Sequence, residues 1–271
     1  MSIPFYKFHG AGNDFILIDN RQGLFNRSGL HNQQAIYQLC HRHFGIGADG
    51  LMLLEEVAQH DFGMIYFNSD GREGSMCGNG GRCMVAFARF LGITGKEARF
   101  RAIDGTHHAR ILEEAPNKWS ITLEMQDATP PQYNESRYFV NTGSPHLVIF
   151  HEDIATIDVI TRGKELRNAP EYAPKGINVN FVQVAGQNHL LVRTYERGVE
   201  NETLACGTGA VAAALVAWAH GIQNPENRYL LQAPGGQLQV AFTPPEKPEG
   251  VFTGVSLTGP AQLVFSGKFD T

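Results

Sequence analysis

The sequence predicts an α+β fold built from two related halves, and three observations carry that expectation. Short runs rich in Ile, Val, Phe and Leu, several bounded by Gly or Asp, outnumber the helical stretches. Few strand–helix–strand units interleave, which argues against a doubly wound parallel sheet. The block Cys77-Gly78-Asn79-Gly80-Gly81 returns as Cys206-Gly207-Thr208-Gly209-Ala210, 129 residues later (206 − 77).

In the first half, strands are expected at 4–8, 14–19, 50–56, 62–67, 98–104, 108–114 and 118–125. A helix is expected over 32–43, with Ala35, Ile36, Leu39 and Cys40 on one stripe, and another from about Gly80 to Leu91. The second half carries expected strands at 137–142, 146–151, 178–184, 189–196, 228–233, 237–243 and 261–265. Its helix should run from about Thr208 to His220 and is apolar all round, the pattern of a helix buried in a core. Paired prolines in Asp127-Ala128-Thr129-Pro130-Pro131 mark the junction. The tail is grouped with the first half, giving domains of 1–127 plus 263–271 and 128–262, although the residues alone do not settle where the tail goes.

Further echoes support a duplication. Glu73 and Glu202, and Gly92 and Gly221, share the cysteine offset. Gly12-Asn13-Asp14-Phe15 corresponds to Gly143-Ser144-Pro145-His146 at an offset of 131, and Asp104-Gly105 to Pro234-Gly235 at 130.

Composition narrows the function classes. The 271 residues are 42% hydrophobic and 18% charged with a net charge of −5, ordinary for a globular protein. No Lys/Arg block is present, so a small-molecule partner is expected rather than nucleic acid. No apolar run reaches the roughly 18 residues a membrane span needs, and the first residues lack a basic-then-apolar leader, so a cytoplasmic protein is the default expectation. The four cysteines, Cys40, Cys77, Cys83 and Cys206, include no Cys-x-x-Cys pair, which disfavours a structural zinc site.

Two of those cysteines stand where chemistry is easiest. The first N–H groups of a helix have no internal partner, and together with the macrodipole they favour an anion. A cysteine at that point has its thiolate favoured, and the adjoining glycines permit close backbone approach. Inverting a carbon centre requires a proton to leave one face and another to arrive on the opposite face. Two thiols, one ionised and one protonated, supply base and acid. Cys77 and Cys206 are therefore expected to line an inter-domain cleft in a racemase or epimerase. Cys40, on a helical stripe, and Cys83, inside a helix, read as core.

The segments Gly10-Ala11-Gly12-Asn13-Asp14-Phe15, Cys77-Gly78-Asn79-Gly80-Gly81-Arg82, Gly143-Ser144-Pro145-His146, Tyr195-Glu196-Arg197-Gly198 and Ala205-Cys206-Gly207-Thr208-Gly209-Ala210 together resemble the signature blocks of the diaminopimelate epimerase family. They occur in the family's order, and the resemblance runs on to Thr258-Gly259-Pro260. It implies two similar pseudo-symmetric domains, each a β-barrel-like sheet around a central buried helix. It implies interconversion of LL- and meso-2,6-diaminopimelate for lysine and peptidoglycan precursors, with no cofactor and no metal, in a homodimer.

The resemblance also implies roles. Cys77 matches the thiolate that takes the α-proton of the LL isomer, and Cys206 the thiol that protonates the other face. Gly78, Asn79, Gly207 and Thr208 match residues whose amides hold the reacting carboxylate. Asn13, Asn68, Asn178, Glu196 and Arg197 match the substrate-binding set, Arg197 suiting the distal carboxylate because a guanidinium binds it bidentately. His146, with Glu196, matches residues supporting catalysis. Without the resemblance, Asn13 and Asn178 read as turn caps and His146 as a structural histidine. Two positions depart from many members: Ser144 stands for Asn and Gly50 for Gln. The rival readings are a proline or hydroxyproline racemase-type two-thiol enzyme, an isomerase of the phenazine-biosynthesis type, and a non-catalytic ligand-binding or thiol redox protein.

Overall fold

Two 13-residue helices, α3 (Gly78–Phe90) and α5 (Gly207–Ala219), organise the protein. The computed structural model describes residues 1–247 and 249–270. The chain divides into two compact units, Met1–Leu123 with the tail from Gly259, and Glu124–Thr258. Each is a barrel-like sheet wrapped around one of the two helices.

In the first unit, β1 (Ser2–Gly10), β2 (Asn13–Asp19), β3 (Gly50–Glu55), β4 (Phe62–Asn68), β5 (Glu97–Ala102), β6 (Gly105–Ala115) and β7 (Lys118–Glu124) lie side by side in chain order. The C-terminal part of β16 (Thr253–Asp270) neighbours β7 and pairs with β1, from Ser2↔Asp270 to His9↔Gln262, so the ring closes with eight strands. β2–β3 and β4–β5 are parallel; β1–β2, β3–β4, β5–β6 and β6–β7 are antiparallel. α3 fills the interior and touches β1, β2, β3, β4 and β6, with every residue from Gly78 to Ala88 buried. The small helices α1 (Leu24–Arg27) and α2 (Gln33–Cys40) cover the outside of β2 and β3, where Phe25, Ile36 and Cys40 join Ile16, Ile18, Leu51 and Leu53 in one cluster. That cover explains why β3 is buried on both faces while β5 alternates.

The second unit repeats the plan. It holds β8 (Gln132–Asn134), β9 (Arg137–Asn141), β10 (Pro145–Phe150), β11 (Asn178–Gly186), β12 (His189–Glu196), β13 (Asn201–Thr203), β14 (Arg228–Ala233) and β15 (Gly236–Thr243). The order is β8-β9-β10-β11-β12-β14-β15-β16, with β13 on the side of β12. β10–β11 and β12–β14 are its parallel pairs, matching β2–β3 and β4–β5. The backbone of Ala128 pairs with that of Phe252, tying the start of this unit to the start of β16. α5 lies within, and α4 (Val159–Arg167) covers β11 and β12 through Val159 and Leu166.

Helices this apolar are stable inside a sheet because their backbone bonds are internal and only their ends need partners. Both C-termini end alike. Gly92 and Gly221 take positive φ, 72° and 94°, and the next residues close the same bond, Ile93 N–H to Ala88 O at 2.9 Å and Ile222 N–H to Ala217 O at 3.0 Å.

Every strand expected from the sequence is present, but several elements differ. α2 stops at Cys40 because His41 is extended and the N–H groups of Ile46, Gly47 and Ala48 take the last carbonyls of the helix. β16 is far longer than the expected 261–265, because its polar stretch pairs on two neighbours in succession. α4 went unpredicted since it buries only Val159, Gly163 and Leu166. The echo at Asp104-Gly105 is displaced by one residue: Gly105 and Gly236 are the true equivalents, with φ of 137° and 144° opposite Ala102 and Ala233. No described helix is long and apolar enough to cross a membrane.

A charged group holds the first unit's α2–β3 loop. Buried Lys7 contacts Asp14 at 2.6 Å and donates to Gly47 O, and Arg42 bridges Asp14 at 2.8 Å and Asp49 at 2.6 Å. Burial alone would raise the Asp14 carboxyl, but hydrogen bonds and charge from Arg42 and Lys7 outweigh it and hold its pKa at about 2, below the usual 3.8. A carboxyl depressed in the folded state stabilises above its unfolded pKa. That stability is lost as pH falls through about 2. The thermal midpoint should therefore drop between about pH 4 and 2, and Asp14→Asn should flatten that drop; an unchanged slope in the variant would refute the assignment. In α5, Leu215 is fully buried. Leu215→Ala should lose about 2–5 kcal/mol in chemical denaturation, and a loss under about 1 kcal/mol would show that the helix is not packed as described.

Candidate functional site

Each inner helix begins at a cysteine. Cys77 and Cys206 are the N-caps of α3 and α5, in extended conformations nearly superimposable in φ and ψ: −109°, 123° and −115°, 114°. The first i→i−4 bonds run from Gly81 N–H to Cys77 O at 2.7 Å and from Ala210 N–H to Cys206 O at 2.9 Å. The amides of Gly78, Asn79, Gly207 and Thr208 thus lie in the first turns, where helix N–H groups point outward along the axis.

The third residue after each cysteine is a glycine seated close against a side chain of the barrel wall. A Cβ at Gly80 would lie 2.0 Å from Met52 Cε, and one at Gly209 would lie 2.4 Å from Asn180 Oδ1. The helix starts are pressed against the barrel wall at equivalent places. Register proves the equivalence: Phe15 pairs with Gly50 and Met52 with Tyr66, as His146 pairs with Asn178 and Asn180 with Thr194.

Around Cys77, Asn13 and Asn79 converge. Cys77 Sγ lies 3.6 Å from Asn13 Oδ1, which also accepts from Asn79 Nδ2 at 3.3 Å. Asn13 Nδ2 donates to Asp49 at 2.6 Å. Asn79 Oδ1 accepts at 2.6 Å from Arg82, a fully buried side chain that also donates to the carbonyls of Gly78 and Pro260. Asn68 ends β4 opposite Gly50, exposed on the same rim, with its Nδ2 over Gly74.

Around Cys206 the arrangement is a chain. Cys206 Sγ is 3.6 Å from Thr208 Oγ1, which is 2.9 Å from His146 Nε2. His146 Nδ1 is 3.1 Å from Asn180 Nδ2, which also donates to Leu147 O at 3.0 Å, while Asn180 Oδ1 accepts from Thr194 at 2.9 Å. His146 is fully buried, and burial, reinforced by the charge of Arg197, lowers its pKa to about 3, so it is neutral. Asn178 caps locally: its Nδ2 donates to Ser144 Oγ at 2.8 Å and Pro145 O at 3.1 Å, and its Oδ1 accepts from Arg197 N–H at 2.9 Å. Glu196 Oε2 accepts from Thr203 at 3.0 Å. Ser144, the departure noted in the sequence, is thus a partner of Asn178.

Cys40 and Cys83 are buried, and burial raises both thiols, Cys40 to about 12 and Cys83 further, so neither ionises near neutrality. No cluster of three metal-ligating side chains occurs among the described residues. The residues that sequence reasoning passed over are Asp49, Arg82, Asn180 and Thr194. Arg82 in an apolar helix and Asn180 in an apolar strand carried a signal, since polar side chains there need buried partners.

The family model described as Diaminopimelate epimerase matches residues 5–129 and 138–264. A relative from Flavobacterium psychrophilum named Diaminopimelate epimerase is 45% identical over 260 residues, covering 96% of this chain and 97% of its own. One of the same name from Chlorobaculum tepidum is 43% identical over 267 residues, with 95% and 98% covered. Among solved structures, a Bacillus anthracis phenazine biosynthesis protein of the PhzF family shares the fold at a TM-score of 0.74 and 14% identity, with both chains fully covered. A hydroxyproline epimerase from Agrobacterium vitis shares it at 0.68 and 14% identity, over 98% of this chain and 92% of that one. The fold, the paired cysteine caps and these full-length matches agree: the chain belongs to the diaminopimelate epimerase family.

Proposed function

We propose that the protein interconverts LL- and meso-2,6-diaminopimelate by moving protons between the substrate α-carbon and two thiols, Cys77 and Cys206. The observation that carries this reading is the duplicated cysteine cap at the start of a buried helix in each unit. In the LL-to-meso direction the Cys77 thiolate takes the α-proton and becomes a thiol. The Cys206 thiol delivers its proton to the opposite face and becomes a thiolate. The carbanion formed between these steps spreads its charge into the α-carboxylate. First-turn amides at Gly78, Asn79, Gly207 and Thr208 are suited to hold that carboxylate, because helix-start N–H groups are preorganised for developing negative charge.

Arg197 is the proposed partner of the distal carboxylate and Glu196 of an ammonium group, with Asn13, Asn68 and Asn178 shaping the polar surroundings. His146 supports Cys206 through Thr208, which lies 2.9 Å from His146 Nε2 and 3.6 Å from Cys206 Sγ. The relatives named Diaminopimelate epimerase, 45% and 43% identical over nearly the whole chain, support this substrate over proline or hydroxyproline. The protein is further proposed to act as a homodimer in the cytoplasm, as the family resemblance implies.

Incubation of LL-diaminopimelate in D₂O should yield the meso isomer carrying one deuterium at the inverted carbon, read by chiral chromatography and mass spectrometry. Cys77→Ala and Cys206→Ala should each lower kcat by about 10²-fold or more; a variant that keeps wild-type turnover rules out its thiol. Arg197→Ala should raise KM for diaminopimelate by about tenfold or more, whereas an unchanged KM would place the distal carboxylate elsewhere. Turnover of proline or hydroxyproline, with none of diaminopimelate, would overturn the substrate assignment.

A further inference from the structure

We propose that the two thiols face hydrogen-bond partners of opposite polarity, so that the substrate-free protein rests with Cys206 as thiolate and Cys77 as thiol, set by the positioning residues Asn180, His146 and Asp49. This deepens, and rests on, the reading of both cysteines as the reacting thiols.

The donors and acceptors follow from groups that have no choice. In the second unit Leu147 O can only accept, so the Asn180 atom 3.0 Å from it is the amide nitrogen. That nitrogen also faces His146 Nδ1 at 3.1 Å, which must then accept. A neutral imidazole accepting at Nδ1 carries its proton on Nε2 and donates it to Thr208 Oγ1 at 2.9 Å. Thr208 Oγ1, receiving that proton, keeps its own hydroxyl hydrogen to donate, and Cys206 Sγ lies in reach at 3.6 Å. With the Thr208 hydroxyl as the donor of that contact, the sulfur's anion is favoured.

In the first unit the Asp49 carboxylate only accepts, so Asn13 presents Nδ2 to it at 2.6 Å and turns Oδ1 toward Cys77. Arg82 independently fixes the same result. It only donates, so Asn79 presents Oδ1 to it at 2.6 Å and Nδ2 to Asn13 Oδ1 at 3.3 Å. Cys77 Sγ, 3.6 Å from that oxygen, meets an acceptor, which favours the protonated thiol.

Charges of both signs lie in the first unit. Lys7, Arg42, Asp14 and Asp49 form a set of two cations and two anions. Arg82 on α3 acts on Cys77, with the protonated Cys83 beside it. Arg197, just past Glu196 at the end of β12, acts on His146 in the second unit, and α5 itself carries no titratable side chain. Hydrogen-bond polarity is what sets the two thiols apart. The duplication makes this visible: the positions equivalent to His146, Asn180 and Thr194 are Phe15, Met52 and Tyr66, which cannot build the relay. Under the proton transfers above, the resting form is the one that accepts the meso isomer and the one left after each LL-to-meso turnover.

The test is site-resolved alkylation of the full-length, reduced, substrate-free protein by iodoacetamide across pH 5–10, with each cysteine's rate read by peptide mass spectrometry. The midpoint of each rate profile reports thiolate formation and not accessibility. Cys206 is expected to have the lower midpoint. Thr208→Val should raise it by about one pH unit, Thr208→Ser should restore it, and the Cys77 midpoint should not move in either. A Cys77 midpoint equal to or below that of Cys206 in the wild type overturns the proposal, as does a Cys206 midpoint unmoved in folded Thr208→Val. If the valine variant does not fold, the wild-type order decides alone. No substrate is present, so this result is separate from the diaminopimelate assay, whose failure would instead sink the function.

Discussion

Everything in this protein depends on placing an apolar helix inside a closed sheet. A helix satisfies its own backbone hydrogen bonds along its length, so it tolerates complete burial, but its first N–H groups need partners. Its start must therefore sit where something polar reaches it. In both units that place is the rim where β2 and β3, or β10 and β11, begin, and a cysteine caps the helix there. Gly80 sits close on Met52 and Gly209 on Asn180, so a side chain at either place would have to displace its neighbour. The second glycine of each Cys-Gly-x-Gly block thus answers to packing.

Duplication supplies the frame and divergence supplies the function. The parallel pairs, the outer helix cover and the helix C-caps are the same in both units. The wall behind each helix start is not. It is apolar and aromatic in the first unit, with Phe15, Met52 and Tyr66, and polar in the second, with His146, Asn180 and Thr194. A reaction that needs one base and one acid has use for such a difference, because two identical sites would give two thiols of equal proton affinity. The cost of burying polar groups in the second unit is met by partners at 2.9–3.1 Å for each of them.

The comparisons separate fold from chemistry. Structures with 14% identity share the architecture under names as different as a phenazine biosynthesis protein and a hydroxyproline epimerase. Architecture alone therefore does not choose among their activities. What chooses is the full-length agreement with relatives above 40% identity.

The sequence by itself determined the α+β class, the duplication, nearly all strands, the two buried helices and the cysteines that begin them. Those features are local or periodic: apolar runs, glycine punctuation and a repeated block report on neighbours in the chain. It even held Gly92 and Gly221, since only a residue at ease with positive φ ends a helix that way. The sequence missed α4, whose buried stripe is three residues wide, and the length of β16, whose polar residues are stabilised by partners far away in the chain. Tertiary structure alone decided that Asn178 caps Ser144 and Arg197, that Asn180 orients His146, and that Asp49 holds Asn13. Those are hydrogen bonds between residues 19 to 36 positions apart, and their direction is set by which atoms meet across strands and the loops beside them. Register decides that meeting, and register is a property of the closed sheet rather than of any one segment.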